Sequence, residues 1–150
     1  MFIGNLKYLP NYLAVKDFTK NVLPKIKYKF PLIKLEIIGE IKNYDKFFLS
    51  LNKNINCLGP KKKLDKFIKG SICGLANLRI ATGIQGKVLT YMSYGLPVVC
   101  TKKVAVNFSN SVLTYNNNEE FVNKLGTLKN NYKILNKLRK NSKKIIKKFS

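Results

Sequence analysis

The alternation of short apolar runs with helical segments constrains the fold of this chain most strongly. Strands are predicted where apolar residues cluster between glycines and prolines, and helices where apolar residues recur every three or four positions. The predicted strands are residues 1–4, 32–39, 55–59, 71–76, 96–100 and 111–115. Strands that alternate with helices form βαβ units with right-handed crossovers, which predicts an α/β fold with a doubly wound parallel sheet.

The chain of 150 residues has the length of one ordinary domain. No composition shift, repeat or low-complexity segment divides it, so residues 1–150 are predicted to form a single domain. Pro24 is expected to end or kink the first helix, and Asn118 is the predicted N-cap of a later one. A long basic helix is predicted at the C-terminal end.

The stretch from Leu78 to Thr101 carries the strongest functional signal, because it reads as a glycine-containing loop, a helix and a strand. Free N–H groups at a helix start attract anions, and the helix dipole adds to this effect. Arg79 and Lys87 flank the loop and are candidates for charge-assisted bonds to a phosphate. The alternative is an ordinary loop of an α/β protein that binds nothing.

The charge is strongly basic, with 29 Lys and Arg against 7 Asp and Glu and a net charge of +22. Such a charge favours nucleic acid, an anionic membrane surface or a phosphorylated ligand as partner. The alternative is biased composition with a solvated surface, since lysines occur in every segment rather than in one stripe.

The missing residue types exclude several chemistries. The chain has no His, which excludes Ser-His-Asp and Cys-His catalysis and His-ligated metal sites within it. No acid lies between Ser71 and Asn118, so the central loop has no general base of its own, and no catalytic residue or metal ligand is assigned. The widely spaced Cys57, Cys73 and Cys100 predict reduced thiols in a cytoplasmic protein, with a peripheral position at the inner face of the membrane left open.

The sequence resembles the C-terminal half of group 1 (family 4) glycosyltransferases, in particular the subset with an arginine and a G-I-Q/K-x-K-V-L segment before the central helix. The motifs that carry the resemblance are Phe2-Ile3-Gly4-Asn5, Pro10-Asn11, Val22-Leu23-Pro24, Ile37-Ile38-Gly39, Leu78-Arg79, Gly83-Ile84-Gln85-Gly86-Lys87-Val88-Leu89, Met92 and Gly95-Leu96-Pro97-Val98-Val99. Several of these motifs keep the family's order and spacing, and the resemblance covers roughly residues 1–150.

The resemblance implies a Rossmann-like domain of the GT-B fold that binds a nucleotide-diphosphate sugar, in an enzyme that retains anomeric configuration and uses neither a metal nor another cofactor. A separate N-terminal domain binds the acceptor in this family, and it is expected to lie outside these 150 residues. The residues predicted to contact the donor are Gly4, Asn5, Lys7, Arg79, Thr82, Gly83, Ile84, Gln85, Gly86, Lys87, Val88 and Thr90.

The chain departs from the family at charged positions. Two family glutamates, which contact the sugar and the ribose hydroxyls of the donor, correspond to Thr82 and Thr90, and the basic pair for the diphosphate corresponds to Asn5 and Pro10. Lys7, Arg79 and Lys87 are the candidates to replace that pair. Replacing a carboxylate that accepts two hydroxyl protons by a neutral hydroxyl is expected to cost about 1.5–3 kcal/mol.

Three functions follow from these observations. The first is the donor-binding half of a glycosyltransferase, inactive alone and working with a separately encoded acceptor domain. The second is a non-catalytic remnant or binding module of the same fold. The third is a basic protein that binds nucleic acid or a membrane surface, of which nucleic acid is disfavoured because no aromatic-basic recognition motif is present.

Overall fold

The computed structural model describes residues 1–149, which form a single mixed α/β unit. The strands are β1 (Phe2–Ile3), β2 (Leu35–Ile38), β3 (Ile55–Gly59), β4 (Gly74–Ala76), β5 (Val98–Cys100) and β6 (Leu113–Thr114). The α-helices are α1 (Leu9–Asp17), α2 (Leu23–Lys29), α3 (Asn43–Ser50), α4 (Asp65–Ile68), α5 (Gly86–Ser93), α6 (Lys102–Ala105), α7 (Asn118–Asn130) and α8 (Tyr132–Phe149). The expected alternation of strands and helices is confirmed.

The strands form two parallel three-stranded sheets in the orders β1-β2-β3 and β4-β5-β6. Two backbone hydrogen bonds join the sheets at a seam between β1 and β4: the nitrogen of Met1 donates to the carbonyl of Cys73 (3.0 Å), and the amide of Leu75 donates to the carbonyl of Met1 (2.9 Å). The combined order is therefore 3-2-1-4-5-6. Crossovers that run outward from β1 in both directions place helices on both faces of the sheet.

Tyr91 of α5 completes the seam with its side chain. Its buried hydroxyl accepts a hydrogen bond from the amide of Ile3 (2.8 Å) and donates one to the carbonyl of Leu75 (3.0 Å). A Cβ atom at Gly74 would collide with the Tyr91 ring, so glycine is required where the ring crosses β4. Burial raises the pKa of the phenol far above its usual value, and the hydroxyl stays protonated and able to donate.

Replacing Tyr91 by Phe is expected to lower the free energy of unfolding by about 2–3 kcal/mol, because the amide of Ile3 and the carbonyl of Leu75 both lose a buried partner. Urea denaturation measures the change. The control is Tyr94→Phe at the exposed end of the same helix, which should stay within about 0.5 kcal/mol of wild type. Equal stability of the two variants would contradict the structural role of the Tyr91 hydroxyl.

Several local expectations needed correction. Pro24 does not mark the end of the first helix, since α1 already ends at Asp17 and a π-helical turn, Phe18–Val22, follows it. Pro24 instead lies in the first turn of α2, where a missing N–H costs little. Asn117 rather than Asn118 is the N-cap of α7, and its side chain accepts from the amide of Glu120 (2.8 Å). The short helix α6 and the 3₁₀ turn Ser109–Ser111 were not expected from the sequence.

The core lies on both faces of the sheet. Strand residues Phe2, Val98 and Val99 are fully buried, and Phe121 of α7 packs edge to face on Phe18 with 5.3 Å between ring centroids. The three cysteines are free thiols, as the sequence predicts, and burial raises the pKa of Cys100 to about 12. Among residues 1–149, no helix is long and apolar enough to span a bilayer.

Candidate functional site

The candidate site lies at the edge where the parallel strands end. The loops after β1 and β2 are pressed together there: the amide of Gly4 donates to the carbonyl of Ile38 (2.9 Å), and the amide of Leu6 donates to the carbonyl of Glu40 (2.7 Å). Gly39 has φ of +142°, and a Cβ atom built on it would collide with the carbonyl oxygen of Gly4. Glycine at position 39 is therefore what allows the two loops to approach.

Lys87 of α5 places its ammonium group beside the end of β1. The Nζ atom donates to Oδ1 of Asn11 (2.7 Å) and lies 3.9 Å from the centroid of the Phe2 ring. A Cβ atom on Gly4 would lie only 3.0 Å from this Nζ, so Gly4 gives the ammonium its space. Burial lowers the pKa of Lys87 from 10.5 to about 8, and the Phe2 ring offsets part of this penalty by a cation–π contact.

Asn11 connects Lys87 to the loop after β1. This buried amide accepts from Lys87 and donates through Nδ2 to the carbonyl of Asn5 (3.1 Å). The side chain of Asn5 in turn accepts from the amide of Lys7 (2.9 Å), which closes a tight turn. The Lys7 ammonium is exposed and lies 3.6 Å from the Glu40 carboxylate, so it is at the site edge but already paired.

The glycine-containing loop leads directly into the start of α5. Gly83 has φ of +66°, and its carbonyl accepts from Nδ2 of Asn107 (3.0 Å), which anchors the loop to the segment after α6. Gln85 is the N-cap residue of α5, and its side chain does not cap the helix; it donates to the carbonyl of Thr82 (3.4 Å). Gly86, the first residue of the helix, is exposed.

The remaining predicted donor contacts fall into different environments. Thr82 and Ile84 are exposed on the loop, whereas Val88 is fully buried, so only its backbone can face a ligand. The hydroxyl of Thr90 donates to the carbonyl of Gly86 within the helix (3.1 Å). Arg79 is exposed and paired with Asp17 of α1 (3.1 Å).

The structure thus gathers Gly4, Asn5 and Lys87 into one centre and leaves Arg79 tied to α1. Sequence reasoning missed Asn11 and Phe2, which hold the Lys87 ammonium in place. Asn11 had one available signal, since a polar residue that follows Pro10 at a helix start faces the same strand ends as the loop.

Two further observations concern metal binding and the location of a cavity relative to this site. Within residues 1–149, no group of three or more His, Cys, Asp or Glu side chains could hold a metal ion. A cavity of about 550 Å³ lies at the opposite edge of the sheet, lined by Met1, Leu35 and Cys73 where their strands begin. That cavity is therefore separate from the Lys87 site.

The two parallel sheets, joined in the order 3-2-1-4-5-6 with a glycine loop and a helix start at the carboxyl ends of the strands, form a Rossmann-like domain. This chain belongs to the group 1 glycosyltransferases: the family model described as "Glycosyl transferases group 1" matches residues 1–131. The family assignment made from the sequence motifs is confirmed.

Solved structures of GT-B glycosyltransferases share the fold. A mutant of S. aureus TarM in complex with fondaparinux, alpha-GlcNAc-glycerol and UDP is similar with a TM-score of 0.75 and 18% identity, over 99% of this chain and 32% of that one. Anabaena Alr3699/HepE in complex with UDP and glucose is similar with a TM-score of 0.69 and 12% identity, over 98% of this chain and 42% of that one. A comparison with curated proteins gave no match.

The chain therefore spans about a third to two fifths of the length of these two structures.

Proposed function

We propose that this chain is the nucleotide-diphosphate-sugar-binding half of a glycosyltransferase that retains anomeric configuration. The observation that carries the proposal is the position of the Lys87 ammonium, held by Asn11 and Phe2 beside Gly4 at the carboxyl edge of the sheet. The diphosphate of a donor would lie between this ammonium and the first amides of α5, where the helix dipole also favours negative charge.

The proposal assigns binding, not bond cleavage, to the residues of this chain. Thr82 and Thr90 offer hydroxyls where the family has carboxylates, and no acid lies between Ser71 and Asn118. The acceptor site and the groups that complete the reaction would come from a second domain outside residues 1–150. We accordingly expect negligible transfer by this chain alone, and turnover by the purified protein would contradict that expectation.

A second candidate function is a binding module that no longer supports catalysis. The observation that favours it is the Thr90 hydroxyl, which is satisfied within its own helix by the carbonyl of Gly86. The two candidates differ in one measurable respect, because only the first predicts transfer when an acceptor domain is supplied.

Donor binding is tested by a thermal-shift titration with UDP, GDP, ADP and their common sugars at low and moderate salt. A ligand at about 100 times its Kd adds about 2.7 kcal/mol of stability, which raises the melting temperature by several degrees. The expected result is a saturable shift with one nucleotide that persists at moderate salt. Equal shifts with all polyanions at low salt only would instead favour a nonspecific polyanion surface.

The affinity for the nucleotide sugar is expected to fall about tenfold between about pH 7 and about pH 9, because the Lys87 ammonium loses its proton with a pKa of about 8. A bound diphosphate favours the protonated form, so binding and proton uptake are linked. The control is Lys87→Arg, which stays charged, and its affinity should be nearly flat over this range. Parallel pH profiles of the two proteins would contradict the assignment of Lys87 to the diphosphate.

The folding stability of the free protein should change with pH in the opposite direction to the affinity for the nucleotide sugar. The folded state binds the Lys87 proton more weakly than the unfolded chain does, so this residue makes stability rise between about pH 8 and 10.5.

A further inference from the structure

The cavity at the amino edge of the sheet is not used by the proposed donor site. This amino-edge cavity has a volume of about 550 Å³ and is lined by residues of α2, α7 and the starts of β2 and β4, together with the segments 30–34 and 70–73. Protein interiors leave few voids larger than a water molecule, whereas ligand pockets have about 300–1,000 Å³. The size of this cavity is therefore that of a ligand site.

The walls of the amino-edge cavity are formed largely by apolar side chains of the core. The deepest of these residues are 1–5% exposed, and they are Leu23 and Ile26 of α2, Leu75 of β4, and Phe121 and Leu125 of α7. The hydroxyl of Ser71, which also lines the cavity, already donates to the carbonyl of Phe67 (3.0 Å). An alkyl chain needs no hydrogen-bond partner in such an interior, whereas a sugar or a nucleobase would lose its partners there.

Two lysines meet on one aromatic ring at the rim of the cavity. The Nζ atom of Lys129 on α7 lies 4.3 Å from the centroid of the Phe30 ring, and the Nζ atom of Lys29 on α2 lies 5.7 Å from it. Both lysines are exposed, and within residues 1–149 neither forms an ion pair with a carboxylate. Two like charges held near one ring repel each other, and an anionic group that contacts both would relieve this repulsion.

The remaining charges of the lining leave an excess of positive charge. Lys34 and Glu36 also line the cavity, so three ammonium groups accompany one carboxylate. Glu36 lies on β2, where it interacts electrostatically with the amino group of Met1, and it forms no ion pair with Lys29 or Lys129. The two lysines on the Phe30 ring therefore remain available to an anion.

Size and charge together select the occupant. A helix with its side chains is about 10–12 Å wide, so this volume holds only about one helical turn and does not suit a docked protein segment. The ammonium groups disfavour a cation, and the apolar walls disfavour a hydrophilic polyanion. A molecule with an apolar chain and one anionic end satisfies both parts of the site.

We propose that the amino-edge cavity binds a single-chain anionic amphiphile, which is an alkyl chain with one carboxylate or phosphate head group. The chain lies among the apolar walls formed by α2, α7 and β4, and the head group accepts hydrogen bonds from Lys29 and Lys129. This site is independent of nucleotide binding, because Lys87 lies at the opposite edge of the sheet.

Isothermal titration of the whole chain with octanoate, decanoate and dodecanoate, each below its micelle concentration, tests the proposal. Each added CH₂ group should strengthen binding about fourfold while the chain still fits the cavity. Dodecyltrimethylammonium, which has the same chain and the opposite charge, should bind at least fivefold more weakly than dodecanoate. Dodecyl phosphate is compared with dodecanoate, and the tighter ligand identifies the preferred head group. Affinity that does not depend on chain length, equal affinity for the cationic amphiphile, or no binding at all would overturn the proposal.

A pair of lysine variants tests the position of the head group. Lys29→Gln combined with Lys129→Gln should weaken dodecanoate binding about fivefold, because two exposed ion pairs are lost. Both side chains are exposed, so the fold should be retained, which circular dichroism checks. The charge-matched control is Lys143→Gln combined with Lys144→Gln on α8, and it should bind as wild type does. Equal losses in the two pairs would overturn the proposal in favour of diffuse attraction to a protein of net charge +22.

The position of the bound amphiphile can be read by fluorescence, because the chain contains no Trp. Phe30→Trp places a single fluorophore at the rim and keeps an aromatic face for the two ammonium groups, whereas Tyr44→Trp places one on the exposed surface of α3. Saturating 2-bromododecanoate, whose bromine lies next to the head group, should quench the Phe30→Trp protein and leave the Tyr44→Trp protein unchanged. Equal quenching of both would show adsorption to exposed apolar side chains and would contradict binding in the cavity.

Discussion

Replacing Lys87 by Met is expected to weaken binding of the nucleotide sugar by about 10- to 100-fold, the loss typical of one charge-assisted bond to an ionised group. The methionine keeps about the length and the apolar stem of the lysine side chain but removes the ammonium group that lies over the Phe2 ring. Isothermal titration with the nucleotide that gives the largest thermal shift measures the change.

The stability of the free protein provides an internal check on the Lys87→Met variant. Burial disfavours the charged form of Lys87, so its removal should not lower the melting temperature by more than the loss of the Asn11 hydrogen bond explains. Lys143→Gln, which neutralises an exposed lysine on α8, is the charge-matched control and should bind as wild type does. Arg79→Gln should have a smaller effect than Lys87→Met, since Arg79 is exposed and paired with Asp17. Unchanged affinity in the Lys87→Met protein would exclude Lys87 from the donor site.

Replacing Gly39 by Ala is expected to destabilise the fold by about 2–6 kcal/mol, because two penalties act at one position. A φ of +142° is strained for any residue with a side chain, at a cost of about 1–3 kcal/mol. The new methyl group would also collide with the Gly4 carbonyl, which cannot move without breaking its neighbours' pairing between β1 and β2, and such overpacking adds about 1–3 kcal/mol or more.

Gly70→Ala is the matched control for Gly39→Ala, because a methyl group at position 70 meets open space. Urea denaturation should show it within about 1 kcal/mol of wild type, with a gain if the unfolded chain loses freedom. If Gly39→Ala were as stable as Gly70→Ala, the close approach of the loops after β1 and β2 would be wrong. If the Gly39→Ala protein folds but loses ligand binding, that loss would be a second consequence of disturbing the close approach of the loops after β1 and β2.

The architecture was accessible from the sequence because it rests on local patterns. The run Leu35–Ile38 lies between Pro31 and Gly39, and Val98–Cys100 follows Pro97. Helix α5 ends at Ser93, two residues before Gly95, whose φ is +71°. Alternation then fixed the parallel sheet through the handedness of crossovers. The short helix α6 escaped prediction because Lys102–Ala105 contains no pair of apolar residues three or four positions apart. The N-cap of α7 was misplaced by one residue within a run of three asparagines.

The candidate site could be predicted from the sequence only in part. Lys87 and the glycine loop form one continuous segment, so their spacing can be read directly from the chain. Asn11 is 76 residues away from Lys87, and only the folded sheet brings the two side chains together. The seam between the two sheets could not be predicted for the same reason, because nothing in the local sequence indicates that the Tyr91 hydroxyl bridges β1 and β4. Contacts of this range depend on the tertiary fold, which a single sequence does not specify residue by residue.

The fixed position of Lys87 also bears on the entropy of recognition. A lysine on an open surface samples many rotamers, and immobilising it on an anion costs up to about 2 kcal/mol. Here the hydrogen bond to Asn11 and the Phe2 ring already restrict the side chain before any ligand arrives. The rotational freedom of this lysine is thus given up during folding, and a ligand meets a preorganised cation rather than one that must be ordered.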